Sequence, residues 1–373
     1  MKRIGIDARF FGSVGKGLGR YTQKLIENLE KIDTQNEYYI FLRKENFNEY
    51  QSKKENFHKV LADFRWYTFS EQINMPRLLK KYDLDLMHFP HFNVPLLYRK
   101  KFVITIHDLI LVHFPTIRGT TLNPFFYWFK FLAYRIAIKS AIIRAKKIIT
   151  VSKFTKNDIE KHYPQARGKV FITYEACEDF CFVASEESGK ILQKYGIIKP
   201  YLLYVGNAYP HKNLDGLISA FARLKQKISS LNLVLVGKED YFYKKIKERV
   251  EKEDISGISF PGFIPDRDLD AVYCSSRAYV FPSLYEGFGL PPLEAMAKGI
   301  PVASSDQECM KEILEDSALF FNGRCQADIE EKMRQICEDS KLRIELVKKG
   351  YRQIEKYSWK KMGKETLEIY QNS

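Results

Sequence analysis

Paired cysteines are missing from this 373-residue chain: the six present, at 177, 181, 274, 309, 325 and 337, show no C-x-x-C spacing. That excludes the common structural zinc modules and a thioredoxin-like redox motif, and the thiols read as reduced in a cytosolic protein. No apolar run reaches the ~20 residues that span a bilayer. The most apolar stretch, Leu122 to Ile143, is broken by Lys130, Arg135 and Lys139, so no transmembrane helix is expected. A signal peptide is not expected either, because Met1-Lys2-Arg3 runs straight into a short apolar strand, Ile4 to Ile6, closed by Asp7. Repeats at solenoid periods and low-complexity tracts are lacking as well. With only 14 Pro and 20 Gly, global disorder has no compositional basis.

What the chain does have is core-forming material, 45% hydrophobic with 14% aromatic residues. Its length suits two domains. The net charge of +14 is unevenly placed: residues 1 to 174 hold 31 Lys+Arg against 15 Asp+Glu, or +16, and the remainder sums to −2. A basic half could meet nucleic acid, an anionic membrane or a phosphorylated substrate, or simply keep the protein soluble.

Short runs rich in β-branched and aromatic residues alternate with helical periodicity. RIGIDA is followed by a Gly-rich turn and then by Leu25, Ile26 and Leu29 at helical spacing. Further strands are expected at 38–42, 84–89, 102–108 and 147–152, and the pattern restarts at 201–206, 231–237, 258–263, 278–283 and 301–306. This predicts an α/β protein of two Rossmann-like, doubly wound domains facing across a cleft, with ligands at the carboxyl ends of the strands. The domains are expected at 1–180 and 181–355, with the boundary near 175–195, and a closing helix over 356–373 is expected to cross back to the N-domain.

The segment FPSLYEGFGLPPLEAMAKGIPVASSD, 281 to 306, reads as strand, loop, helix, strand. Pro291 and Pro292 suit a helix start, where a missing N–H costs nothing. Glu286 falls in the loop and Glu294 in the opening turns of the helix. Two carboxylates flanking a Gly-Phe-Gly turn can grip two parts of one polar ligand, while loop amides and the helix dipole attract an anion such as a diphosphate. An ordinary βα loop with a dipole-favoured Glu fits the same residues.

The Glu286-x7-Glu294 signature around GFGLPPLEAMA resembles that of retaining glycosyltransferases of family 4, which have the GT-B fold. The resemblance extends to YVGNAYPHKNLDGLISAF (204–221), FPGFIPDRDLDAVY (260–273), ITVSKFTKNDI (149–159) and the opening IGIDARFFGSVGKGLGRYTQKLIENL. It implies that Glu294 binds the ribose hydroxyls of a nucleotide and Glu286 the hydroxyls of the donor sugar, tasks suited to a carboxylate accepting charge-assisted hydrogen bonds. It implies that Lys212 neutralises the diphosphate during bond cleavage. It also implies that His107 holds the sugar near its anomeric carbon and that the backbone of Gly17 approaches the donor. Where several members carry Arg after the strand glycine, this chain has Asn207, and His211 is expected to take part of that role. Gly287, Phe288, Gly289 and Leu290 are expected to line the diphosphate, and Phe263 and Ile264 the base.

Other motifs are weaker. Gly15, Gly17 and Gly19 do not make G-x-G-x-x-G, and no acidic residue follows at the spacing an NAD site needs. Asp83-Leu84-Asp85 spells D-x-D but precedes a strand instead of ending one, and His88 with His91 reads as packing; no metal site is expected. The aromatic run Phe125–Phe129 with Lys130, Arg135, Lys139, Arg144, Lys146 and Lys147 fits a core helix, an interfacial membrane helix or an RNA clamp.

The family resemblance, and at subfamily level that to bacterial O-antigen mannosyltransferases, implies transfer of a hexose to a hydroxyl of a lipid-linked glycan in lipopolysaccharide synthesis. Mannose from GDP-mannose is the expected donor, no cofactor or metal is needed, and no nucleic-acid partner is expected. The chain is expected in the cytoplasm, with peripheral contact to the inner face of the cytoplasmic membrane through the basic N-domain. A same-fold nucleotide-sugar epimerase and a non-catalytic polyanion- or RNA-binding protein are the rival readings.

Overall fold

The computed structural model describes residues 1–115, 124–177 and 185–373. Cys181 and Leu122 lie outside the described residues, as do the side chains of Phe125, Phe126 and Tyr127. The chain divides into two compact units, one of Met1–Leu109, Thr120–Glu175 and Ser358–Ser373, the other of Ile110–Gly119 and Ala176–Tyr357.

In the first unit β1 (Arg3–Asp7), α1 (Lys16–Ile32), β2 (Glu37–Leu42), β3 (Phe57–Leu61) and α2 (Phe69–Lys80) lead to β4 (Leu86–Phe89) and β5 (Phe102–Ile106). A short α3 (Ile110–His113) belongs to the second unit. The first unit resumes with α4 (Pro124–Arg144), β6 (Lys147–Thr150), α5 (Lys153–His162) and β7 (Val170–Ile172). Its sheet is parallel, in the order β3-β2-β1-β4-β5-β6-β7. Every residue of β4 and β5 is buried, as expected of strands covered on both faces by helices.

The second unit runs α6 (Ser185–Lys194), β8 (Tyr201–Val205), α7 (Leu214–Lys227), β9 (Asn232–Val236), α8 (Tyr241–Lys252) and β10 (Ile258–Gly262). It continues through α9 (Asp266–Cys274), β11 (Ala278–Phe281), α10 (Leu290–Ala297), β12 (Val302–Ser305), α11 (Glu308–Leu314), β13 (Ala318–Phe321), α12 (Gln326–Glu338) and α13 (Ser340–Ile354). Its parallel sheet has the order β10-β9-β8-β11-β12-β13. Both sheets therefore reverse direction once, between β1 and β4 and between β8 and β11, and at such a switch point the strand exits open a crevice for ligands.

The last helix, α14 (Trp359–Gln371), packs on α1 of the first unit. Met362, Thr366, Ile369 and Tyr370 recur at helical spacing and are buried in that contact. Lys2 Nζ donates to the carbonyls of Tyr370 (2.9 Å) and Gln371 (3.0 Å), which ties the two ends of the chain together. Beyond β1, fully buried Arg9 pairs with Asp7 (2.6 Å) and Glu71 (2.5 Å), and Asn93 donates to the same Glu71 carboxylate (2.7 Å). Each charge in this cluster has an opposite charge or a donor, which is what lets charged groups stay in a core.

Candidate active site

The exits of β8 and β11 flank the switch point of the second unit. After β8 the chain forms a tight turn at Pro210–Lys212 and then Asn213, whose φ of 57° lies in the left-handed region, before entering α7. After β11 the loop from Pro282 to Gly289 leads into α10. The two exits are stitched together: Leu284 N donates to His211 O (2.7 Å), and Asn213 Nδ2 donates to Pro282 O (3.3 Å) and Gly323 O (2.7 Å). On this frame Lys212 Nζ sits 2.5 Å from Glu286 Oε1, with both side chains largely buried. The structure thus brings together two of the sequence-predicted residues.

Gly289 caps α10 at φ 91°, and a Cβ there would lie 2.3 Å from Met310 Cε, so the position demands glycine. Pro291 and Pro292 occupy the first turn, as the sequence implies. Their cost is that neither offers an N–H, so this helix start presents an anion with its dipole and with the amide of Leu290. Glu294 follows on the second turn, half-buried. Its charge and that of Glu286 both reach the buried Tyr279 hydroxyl, whose pKa burial raises first and these carboxylates raise further.

Tyrosine hydroxyls, which the sequence reading passed over, shape the β8 exit. Tyr279 donates to Val205 O (3.2 Å), Tyr243 to Gly206 O (2.9 Å) and Tyr204 to Asn207 O (2.7 Å). Asn207 uses its own side-chain oxygen to accept from Tyr209 N (3.2 Å), so it builds the turn. His211 is buried and its pKa falls to about 4, from burial first and then from the Lys212 charge. It is therefore neutral near pH 7 and can offer a ligand a hydrogen bond, not a second positive charge. Phe263 is exposed, whereas the Ile264 side chain is buried and leaves only its backbone to a ligand.

In the first unit, Gly17 lies in the opening turn of α1, not in the preceding loop. A Cβ on Gly15 would meet Phe10 O at 2.1 Å and one on Gly19 would meet Gly12 O at 2.1 Å, but Gly17 faces open space. His107 follows β5. Its Nδ1 lies 3.1 Å from Glu175 Oε1 and its Nε2 3.1 Å from Pro90 O. Both partners are acceptors, an arrangement that favours the protonated ring with its two N–H donors. Burial alone would lower the His107 pKa, but the hydrogen bond and charge of Glu175, with Asp108 and the Pro90 carbonyl, outweigh it and raise the pKa. Both ring nitrogens are thus engaged within the protein, and Glu175 is a partner that sequence reasoning missed.

A model described as Glycosyltransferase Family 4 matches residues 15–176, and one described as Glycosyl transferases group 1 matches residues 189–353. The O-antigen chain mannosyltransferase B of Escherichia coli is 28% identical over 95% of both chains. The O-antigen chain mannosyltransferase RfbU of Salmonella typhimurium is 30% identical over 69% of this chain and 66% of its own. Among solved structures, sucrose-phosphate synthase from Thermosynechococcus elongatus superposes with a TM-score of 0.76 at 18% identity, covering 100% of this chain and 99% of that one.

The chain is a family 4 glycosyltransferase of the GT-B fold.

The remaining motifs of this glycosyltransferase have structural partners. Asp83 pairs with Lys100 (2.7 Å) and Asp85 accepts from Arg3 N (2.7 Å), both before β4 and away from the strand exits. His88 is fully buried between the Tyr370 hydroxyl (2.5 Å from Nδ1) and Thr105 Oγ1 (2.9 Å from Nε2), and burial with the His107 charge lowers its pKa to about 3. His91 meets the Tyr67 hydroxyl at 3.1 Å and packs on Phe92. The five cysteines among the described residues are free thiols, and no helix among the described residues is long and apolar enough to cross a membrane.

Proposed function

We propose that this glycosyltransferase moves mannose from GDP-mannose, with retention at the anomeric carbon, to a hydroxyl of a lipid-linked glycan in surface polysaccharide synthesis. The observation that carries the reading is the Lys212–Glu286 pair at the β8/β11 switch point, beside the start of α10. The names of the O-antigen relatives support the choice of sugar and acceptor class.

In this reading Glu294 accepts from the ribose hydroxyls and Glu286 from those of the sugar, while Lys212, the Leu290 amide and the α10 dipole face the diphosphate. The bond between the anomeric carbon and the β-phosphate oxygen breaks as the acceptor oxygen bonds to that carbon on the same face. The acceptor proton passes to the departing phosphate, so no protein base is needed. A fixed ammonium at the developing negative charge lowers the barrier without rearrangement at the moment of reaction. Charge neutralisation by Lys212 makes a metal unnecessary in this scheme.

The test is a panel of nucleotide sugars added to the purified protein. A ligand binding only the folded state stabilises it by about 2.7 kcal/mol at a hundredfold excess over Kd. GDP-mannose should raise the melting temperature most, and transfer to a synthetic lipid-linked glycan should give the α-mannoside by NMR. A larger shift from another nucleotide sugar overturns the donor assignment, a β-linked product overturns retention, and epimer formation without acceptor overturns transfer.

A further inference from the structure

The outward face of α4 carries apolar side chains where a soluble surface would carry polar ones. Trp128, Phe129, Leu132 and Ile136 are 52 to 64% exposed, and Ile143 is exposed as well. At 3.6 residues per turn these five fall within one arc of about 100°, while Ile138, Ala141 and Ile142 on the other side are buried in the first unit.

Two neighbouring segments extend the patch. Arg144, at the end of α4, donates to the carbonyls of Tyr98 (2.6 Å) and Leu96 (3.3 Å), clamping a loop that exposes Leu96 and Leu97. Leu96 N in turn donates to Gln72 Oε1 (2.8 Å) on α2, whose Phe69 and Ile73 are exposed. Three elements of one unit, linked by these hydrogen bonds, thus each expose large apolar side chains, and a grouping of this kind marks an interaction surface more than singly scattered residues do.

Its charge selects the occupant. From Leu109 through Asn157 the sequence contains nine Lys or Arg and no Asp or Glu. Lys130, Arg135, Lys139 and Lys146 on or next to α4 are exposed, and Arg99, Lys100 and Lys101 follow the Leu96–Leu97 loop. An apolar stripe beside cations is the surface that settles at an anionic lipid interface. A second copy would bring like charge against like. Single-stranded RNA would need stacking faces, which Leu96, Leu97, Leu132, Ile136 and Ile73 do not provide.

We propose that the exposed apolar faces of α4, the 95–98 loop and α2 dock the first unit onto an anionic bilayer. This inference does not depend on the donor or the acceptor. The test is co-sedimentation with phosphatidylglycerol-containing vesicles and with pure phosphatidylcholine vesicles. The wild-type protein should bind the anionic vesicles at least tenfold more tightly, with affinity falling as salt rises. The double variant Leu132→Gln, Ile136→Gln should lose at least tenfold, and Lys130→Gln, Lys139→Gln severalfold, with unchanged circular-dichroism melts. The unaltered fold gives a second readout: Trp fluorescence should shift to the blue on anionic vesicles, and the shift should shrink in Trp128→Phe. Equal binding to both vesicle types, no loss in the Gln variants, RNA binding abolished by those variants without vesicle binding, or a dimer that they dissociate would each overturn the proposal.

Discussion

Lys212 Nζ lies 2.5 Å from Glu286 Oε1, joining the exits of two adjacent strands from positions 74 residues apart in sequence. Lys212→Ala should lower kcat by about 10²- to 10³-fold, the loss typical of removing one preorganised group that faces developing charge. Glu286→Gln, which keeps the shape and one acceptor, should reduce sugar transfer while leaving binding of the bare nucleotide diphosphate nearly intact. Single-turnover kinetics and calorimetry with the nucleotide alone separate the two effects. Equal losses in both measurements for Glu286→Gln would place its role away from the sugar.

In the proposed reading Glu294 serves a different part of the donor. A hydrogen bond to a charged group is worth about 1.5–3 kcal/mol, so Glu294→Ala should weaken nucleotide binding by about 10- to 150-fold. The same variant should weaken binding of the 2′,3′-dideoxy nucleotide hardly at all, because the hydroxyls it would serve are gone. Calorimetry with both nucleotides checks this.

Two glycines should separate stability from activity. Gly289→Ala forces a side chain onto φ 91° and against Met310, a strain of about 1–3 kcal/mol, and urea melts should register it. Gly17→Ala meets nothing within 4 Å and lies in a helix, where Ala is favoured over Gly by up to about 1 kcal/mol. Its stability should hold or rise. If the donor approaches this backbone closely, transfer should nevertheless fall at least tenfold; unchanged kinetics would remove Gly17 from the site.

Acid should unfold the first unit through His88. Its pKa is about 3 in the fold, against about 6.5 in the unfolded chain. Below 6.5 the unfolded chain takes up a proton that the folded core refuses, so the stabilisation is whole above that pH and drains as pH falls toward 3. At pH 5 the loss from this group is about 2 kcal/mol. His211, depressed to about 4, gives the second unit a loss of the same sign. His107 acts oppositely: its raised pKa gives a contribution that is complete at low pH and fades as pH climbs through the folded value. Urea melts at pH 7 and pH 5 should show a smaller difference for His88→Gln than for the wild type.

Most strands legible in sequence are largely buried, such as the FVITI and YLLYV runs, and β10, a half-buried edge strand, was legible as well. The three that escaped, β3, β7 and β13, are edge strands. They are short or carry polar residues, as in FHKVL and VFI, because an edge needs less apolar surface. Around the site, Glu286, Glu294 and Lys212 stood in dense motifs. Glu175 was invisible because it reaches His107 from 68 residues away with no local pattern. The neutrality of His211 was equally hidden, since burial, not residue type, sets it. The tyrosines of the β8 exit read as strand residues, and only their hydroxyl partners reveal what they hold.

Because α14 completes a unit that begins at Met1, the first half of this enzyme is unfinished when its own sheet has been made. Translation at about 5–20 residues per second separates Glu175 from Ser358 by roughly 10–40 s. Through that interval the face of α1 that will receive Met362 and Ile369, and the ring of His88 awaiting the Tyr370 hydroxyl, stay uncovered on the ribosome. Loss of even the final turn to proteolysis or early termination would therefore harm the amino-terminal lobe, whose damage would surface far from the missing residues in sequence.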